Sequence, residues 1–419
     1  MKKVLIVDEN HLILDLLESK LNKVLDVDVL KASSYKDALK HIEAEELIHI
    51  AILNLNLPDA KEGQIVDYTI SQDIPSVILT DIIDENLQNI ILQKDIIDYV
   101  LKTDLNSMEY TVNIVNRTLG NYDVDILVVD DSRFQISVVT KILTKMKINV
   151  HTAKNGREAL ELIKNQKDNT KLAMVLTDYQ MPEMDGLELT LNIRNMYKKD
   201  QLSVVVMSTN DDFETATKFI KIGANDFISK PFTQTEFTTR VNSNLDLLDL
   251  FERNRELATK DYLTCSYNRK FFFDSGVSIA NKVKRRKAHM TVAILNVDDF
   301  QNINDTYGYD IGDSVIQDIS KIINQNLRSS DLVSRFKGDE FAILLEDISI
   351  ENTTILFNKI KKSLVGHVLT VGKASISFHV SIGIFHGQDE GLEVMVKNAK
   401  RSLNNAKNSG KKQILINDH

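Results

Sequence analysis

At 419 residues the chain is long for a single core, and at roughly 100 to 200 residues per domain it divides most simply into three domains of about 140. Its 15 glycines and 4 prolines fall far below the roughly 12% of an average chain, which excludes collagen-like, mucin-like and long Pro/Gly-linker architectures. A net charge of −9 lacks the electrostatic footprint of a nucleic-acid binder, and the single Cys265 excludes a disulfide framework or a multi-cysteine zinc site.

The N-terminal MKKVLIVDEN turns acidic too soon for a signal peptide, and no run of 18 apolar residues occurs. A soluble, cytoplasmic protein with neither membrane nor nucleic acid as partner is expected, in keeping with its one cysteine. From the N-terminus the chain alternates short apolar runs, KKVLIVDEN (2–10), IAILNLNLPD (50–59), PSVILTD (75–81) and DYVLKTD (98–104), with amphipathic stretches such as LILDLLESKL. Each run has a counterpart in the same order: VDILVVDDS (124–132), MVLTDYQMPE (174–183), SVVVMST (203–209) and DFISKPF (226–232). Four matches at a nearly constant offset indicate a duplicated domain. Apolar runs separated by helix-period segments predict βαβ units around a parallel sheet covered on both faces, with ligands at the carboxyl ends of the strands.

The chemically distinctive residues fall at those ends. In the second copy Asp130, Asp131 and Asp178 offer a hard-oxygen site suited to Mg²⁺. Lys230 and Ser208 offer a counter-charge and a hydrogen bond to an incoming phosphoryl group. With Phe227 and the Lys230–Pro231 step, residues 125–245 resemble a response-regulator receiver domain. The resemblance implies that Asp178 accepts the phosphoryl group, that Asp130, Asp131 and Asp178 hold Mg²⁺, that Ser208, Lys230 and Phe227 form the switch, and that a histidine kinase or phosphotransfer protein is the partner. In the first copy Asn54 stands where Asp178 stands in the second. An amide cannot form an acyl phosphate, so residues 1–118 are expected to be a pseudo-receiver, a dimerisation or docking surface in which Asp8, Glu9, Thr80 and Lys102 are retained mainly as fold.

Phe237, Val241, Leu245 and Leu248, followed by FERNRELATKD, predict a helix that leaves the second copy and continues as a connector over 246–260, where it can pair with a second subunit in a homodimer. The basic cluster Lys282 to Lys287 reads as a solvated helix end. Residues 261–419 are mixed α and β, with strands expected at 290–297, 331–336, 341–346 and, as one run, 375–385. Lys337, Gly338, Asp339 and Glu340 read as a hairpin turn with two carboxylates at its tip. The succession DYLTCSYNRKFF (261–272), NVDDFQNINDTYGYDIGD (296–313), RFKGDEF (335–341) and AKNSGKK (406–412) resembles the GGDEF domain of diguanylate cyclases. The expected architecture is therefore α/β throughout: two doubly wound, flavodoxin-like parallel-sheet receiver domains and one mixed-sheet, nucleotide-cyclase-like GGDEF domain, the layout of the PleD type of response regulator.

That resemblance implies two GTP, one per subunit of a dimer, joined into cyclic di-GMP. Asn304 and Asp313 match residues that read guanine, Lys407 and Lys411 match phosphate contacts, and Asp339 matches a metal carboxylate with Glu340 beside it in the catalytic loop. Three positions depart from the pattern. Asn296 replaces the other metal carboxylate, Gln301 replaces a phosphate-binding lysine, and Lys337 replaces the first glycine of the motif. Losses of this electrostatic kind cost several kcal/mol of transition-state stabilisation, so catalysis, and with it Mg²⁺ in this domain, is expected to be weak or lost. Arg328 and Asp331 keep the RxxD spacing of the family's inhibitory product site, where an arginine can take a phosphate or purine edge and an aspartate the guanine N–H donors. The leading expectation is a response regulator whose output domain binds cyclic di-GMP. The alternatives are an active cyclase and a phosphorylation-switched scaffold.

Overall fold

The computed structural model describes all residues except 45–46, 61–62, 82–93, 103–104, 166–171, 210–212, 372–373, 389 and 419. Contacts divide the chain into two compact units, Met1–Phe251 and Glu252–His419.

The first unit holds two copies of one plan. In the first, β1 (Lys2–Val7), α1 (His11–Val24), β2 (Val27–Ala32), α2 (Tyr35–Glu43), β3 (Ile50–Leu53), α3 (Gln64–Ser71), β4 (Ser76–Thr80), β5 (Asp98–Leu101) and α4 (Leu105–Asn121) follow one another. The second repeats them as β6 (Asp125–Val129), α5 (Arg133–Lys145), β7 (Asn149–Ala153), α6 (Gly156–Lys164), β8 (Leu172–Asp178), α7 (Gly186–Met196), β9 (Ser203–Ser208), α8 (Phe213–Ile222), β10 (Asp226–Ser229) and α9 (Gln234–Thr259). Both sheets are parallel, in the orders β2-β1-β3-β4-β5 and β7-β6-β8-β9-β10. Each central strand is buried along its length because helices cover both faces, giving two apolar layers per sheet. These are two flavodoxin-like domains, as the duplicated sequence pattern requires.

Strand order reverses beside β1 and beside β6, and a crevice opens there at the carboxyl edge. Helices start at once on its rim: Asn10 caps α1 by accepting from Leu12 N–H, and Ser132 caps α5 by accepting from Gln135 N–H. The two domains also meet. Arg117 on α4 reaches Asp249 on α9 at 2.6 Å and Asp246 at 3.3 Å, and the Asn121 amide donates to Met146 O at 3.0 Å.

The second unit has a six-stranded mixed sheet in the order β11 (Tyr267–Asn268), β13 (Leu332–Lys337), β14 (Glu340–Glu346), β12 (Met290–Val297), β17 (Val380–Gly387), β18 (Ile414–Asp418). Helices α10 (Arg269–Arg286), α11 (Phe300–Tyr307), α12 (Tyr309–Asn326), α13 (Ile350–Val365) and α14 (Leu392–Asn408) complete it, with apolar clusters on both faces. The run 375–385 is two strands, not one: β15 (Val368–Val371) and β16 (Ala374–Ser377) form a separate two-stranded sheet, and β17 begins at Val380. Phe378 turns into the core between them, and His379 O accepts from Asp298 N–H, a tertiary bond that pattern alone does not reveal. The basic cluster does close α10 and is exposed except for Val283. Among the described residues no helix is long and apolar enough to cross a membrane.

Candidate functional site

Three sites can be built from these elements. In the second domain Asp178 ends β8, Asp130 follows β6 and Lys230 follows β10, so three strand ends deliver one cluster. Lys230 Nζ lies 2.7 Å from Asp130 and 2.5 Å from Asp178, and all three side chains are largely buried. Gln180 N–H donates to the other Asp178 oxygen, and Ser132 N–H donates to Asp130, each at 2.9 Å. Burial pushes the Asp178 carboxyl above its usual range, with the Lys230 ammonium opposing. Burial would lower Lys230, but its bonds to Asp130 and Asp178 outweigh it and hold it above the ordinary value. The Lys230–Pro231 peptide is cis. Ser208 is buried at the end of β9, and Phe227 stacks on Phe219 with ring centres 6.4 Å apart.

Asp131 is not drawn into the cluster. Its side chain is exposed at the mouth, and among the described residues no three His, Cys, Asp or Glu side chains meet in an arrangement that would hold a metal ion. The donor set still fits a divalent cation. Two buried carboxylates share one ammonium, which leaves net negative charge, and hard oxygens are the ligands Mg²⁺ takes.

The first domain reproduces this geometry with one exchange. Asp8 accepts from Asn10 N–H at 2.9 Å as Asp130 does from Ser132, and Lys102 Nζ lies 2.7 Å from Asp8. Burial raises the Asp8 carboxyl, with the Lys102 hydrogen bond opposing. Asn54 takes the place of Asp178, and its amide donates to Glu9 at 2.5 Å and to Asn56 O at 3.2 Å. Its Oδ1 is buried without a partner.

In the second unit the signature residues line one edge of the sheet. Lys337 pairs with Glu340 across a two-residue turn, Gly338 at φ +48 and Asp339. Only Asp339 sits at the tip; Glu340 belongs to β14 and is held by Lys400 at 2.6 Å. Lys337 is exposed. Burial raises the Asp339 carboxyl, with its own backbone N–H, the nearby Asn296 amide and the charge of Lys407 opposing. Asn296 on β12 lies in register with Glu340, and Val297 N–H donates to Asp339 O at 3.3 Å, so Asn296 stands beside the signature turn. An amide there brings a carbonyl oxygen but no negative charge, so a divalent cation at this edge would find one carboxylate fewer than two aspartates would supply. Lys411 is engaged by Asp299 at 2.5 Å. Gln301 bonds Asp305 at 2.9 Å.

The guanine-reading pair lies on adjacent helices, Asn304 on α11 and the exposed Asp313 on α12. Asn304 Oδ1 is buried without a partner and lies over Gly312, where a Cβ would come within 1.8 Å of it. Arg328 and Asp331 form the tight turn into β13: Arg328 N–H donates to Asp331 at 2.9 Å, and Asp331 N–H to Arg328 O at 3.0 Å.

Sequence reading missed Arg335. Its Nε donates to Gly338 O at 2.8 Å, and its guanidinium pairs with Asp261 at 3.0 Å, tying the start of the domain to the signature turn. Both segments are visible in the sequence, but nothing in it joins residues so far apart.

Residues 126–242 match the family model described as response regulator receiver domain, and residues 258–413 match diguanylate cyclase, GGDEF domain. The response regulator PleD of Caulobacter vibrioides is 26% identical over 307 residues, covering 69% of this chain and 65% of PleD. Diguanylate cyclase DosC of Escherichia coli is 33% identical over 175 residues, 40% of this chain and 37% of DosC. A solved structure described as a putative two-component system response regulator/GGDEF domain protein is 32% identical, with a TM-score of 0.54 over 59% of this chain and all of that one. The chain belongs to the family of response regulators that join a receiver domain to a GGDEF domain.

Proposed function

We propose that the chain is a two-component response regulator in cyclic di-GMP signalling, with a pseudo-receiver at 1–118, a receiver at 125–245, a helical linker at 246–260 and a GGDEF domain at 261–419. A histidine kinase or phosphotransfer protein phosphorylates Asp178. The output domain binds cyclic di-GMP through Arg328 and Asp331 rather than making it. The observation that carries this reading is a contrast: Lys230 bridges two intact carboxylates in the receiver, whereas in the output domain Asn296 stands beside the signature turn and brings an amide with no second negative charge to Asp339.

In the receiver, Asp130 and Asp178 would hold Mg²⁺ with Asp131, and the ion would neutralise charge on the incoming phosphoryl group. The protein's own part is positional. Gln180 N–H orients the Asp178 carboxylate, and Lys230 is already at the oxygen that must meet a phosphoryl anion. Phosphorylation then adds nearly two negative charges, and Ser208 and Phe227 are the groups placed to report the change to the outer face. Phosphorylation favours a homodimer joined along the connector.

The test is a titration of the full-length protein with cyclic di-GMP, for wild type and Arg328→Ala. Binding by wild type that is lost in the variant is expected; equal affinity, or none in either, would sink the reading. A second reading, an active cyclase, is favoured by the unpartnered Asn304 Oδ1 above Gly312, a built acceptor suited to a guanine N–H donor. Incubating phosphodonor-treated protein with GTP and Mg²⁺ or Mn²⁺ separates the two, since product formation belongs to the cyclase alone. Absence of both product and nucleotide binding would leave the scaffold.

A further inference from the structure

The RxxD turn has a neighbour that its motif does not include. Lys260 follows the last residue of α9, and its ammonium lies 3.6 Å from the centre of the Tyr267 ring. The side chain is half-buried, and among the described residues no carboxylate pairs with it. Burial lowers its pKa, with the electrostatic influence of Cys265 and Glu256 opposing. Its place is fixed: Lys260 N–H donates to Glu256 O at 2.7 Å, the residue bridges to Tyr267, and the Asn268 amide closes the helix end on Ala258 O at 2.8 Å.

Lys260 and Tyr267 line a cavity of about 190 Å³ together with Asn324, Arg328 and Asp331. Arg328 and Asp331 also border a second cavity of about 310 Å³, whose walls carry Glu346 and Asp347. Charge is therefore uneven across the turn: Arg328 and Asp331 border both cavities, the first adds the Lys260 cation, and the second adds the Glu346 and Asp347 carboxylates. An ammonium held over an aromatic face without an anion is poorly solvated and gains from a phosphate oxygen. A cyclic dinucleotide presents both halves of the complement, phosphodiester anions and guanine N–H donors.

We propose that Lys260 is a ligand-contacting residue of the RxxD site, binding a phosphodiester oxygen while Asp331 accepts from the guanine edge. This rests on the reading of Arg328 and Asp331 as a cyclic di-GMP site. It adds that the site is built jointly by the end of the connector and the GGDEF domain, so that an occupied site restrains the residue on which the connector ends.

The experiment is calorimetric titration of cyclic di-GMP into full-length wild type, Lys260→Met, Lys260→Arg and Arg328→Ala at low and high salt. Methionine keeps an aliphatic stem over Tyr267, and matched thermal unfolding confirms that each variant is folded. Lys260→Met should bind roughly tenfold more weakly and with a shallower salt dependence, and Lys260→Arg should bind nearly as wild type. Wild-type affinity in Lys260→Met, with Arg328→Ala still defective, would overturn the role of Lys260 alone. A weakening with unchanged salt dependence would make Lys260 merely structural and overturn it too. No binding by wild type would overturn the RxxD reading, and this inference with it.

Discussion

Asp178 ends β8 and Asn54 directly follows β3, and in each domain a lysine is paired with the aspartate after the first strand, Lys230 with Asp130 and Lys102 with Asp8. Asp178 and Asn54 differ in what burial costs them. The Asp178 pKa is raised, so its contribution to stability is fully present below the ordinary carboxyl value near 3.8 and is lost as pH rises through the folded value. At neutral pH the ionised group is a burden that Lys230 offsets only in part. Asp178→Asn should therefore abolish phosphorylation by a small-molecule phosphodonor yet raise the melting temperature of the first unit at pH 7 by about 2–4 °C, on the order of 1 kcal/mol. That gain should shrink as pH falls toward about 4, which differential scanning calorimetry would show; a loss of stability at pH 7 would contradict it. The reverse exchange, Asn54→Asp, restores a carboxylate beside Glu9, Asp8, Lys102 and Thr80. Intact-mass analysis should then detect a second phosphoryl group, and a single one would mean that the first domain lacks more than its acceptor.

At the scale of elements, close approaches decide what the sites tolerate. Gly312→Ala would drive a methyl group into Asn304 Oδ1, displacing the amide from a helix pair that otherwise packs unchanged. Guanine-nucleotide binding should fall at least tenfold while unfolding shifts by no more than about 1–3 kcal/mol, the usual range for overpacking. Retained GTP binding would remove Asn304 from the site. Arg335→Ala cuts the bond that steadies the signature turn and leaves Asp261, largely buried, without its guanidinium. Chemical unfolding of the second unit should show a loss of about 3 kcal/mol, the lower end of what breaking a buried pair costs. The strands and helices around these residues were legible as apolar runs and amphipathic periods because local pattern produces them. Arg335 was not legible, because its two partners are a carbonyl of its own turn and a carboxylate 74 residues earlier in the chain.

At the scale of the whole molecule, α9 is the continuous element, running from the core of the receiver to the start of the GGDEF domain. Its first half is anchored by Phe237, Val241 and Leu245, all buried, and Arg117 of the first domain grips it at Asp246 and Asp249. From Leu247 onward Leu247, Leu250 and Leu257 are exposed at three- and seven-residue spacings, the spacing of a coiled-coil seam with Asn254 at an inner position. If this stripe joins the proposed homodimer, phosphodonor-treated wild type should dimerise while Leu250→Glu with Leu257→Glu stays monomeric at the same concentration. Light scattering checks this, and a persisting dimer would place the contact elsewhere. The sequence by itself determined the duplication, the α/β class of all three domains and the proposal of Asp178 as phosphoacceptor, because strand ends and turns carry these as local, ordered motifs. Only the tertiary structure decided that Asp131 stays outside the Lys230 cluster, that Arg335 ties Asp261 to the signature turn, that Asn304 is left with an unpartnered acceptor, and that Lys260 shares a cavity with Arg328. Each of those depends on side-chain direction and burial between elements far apart in the chain, and neither is written in the spacing of residues along it.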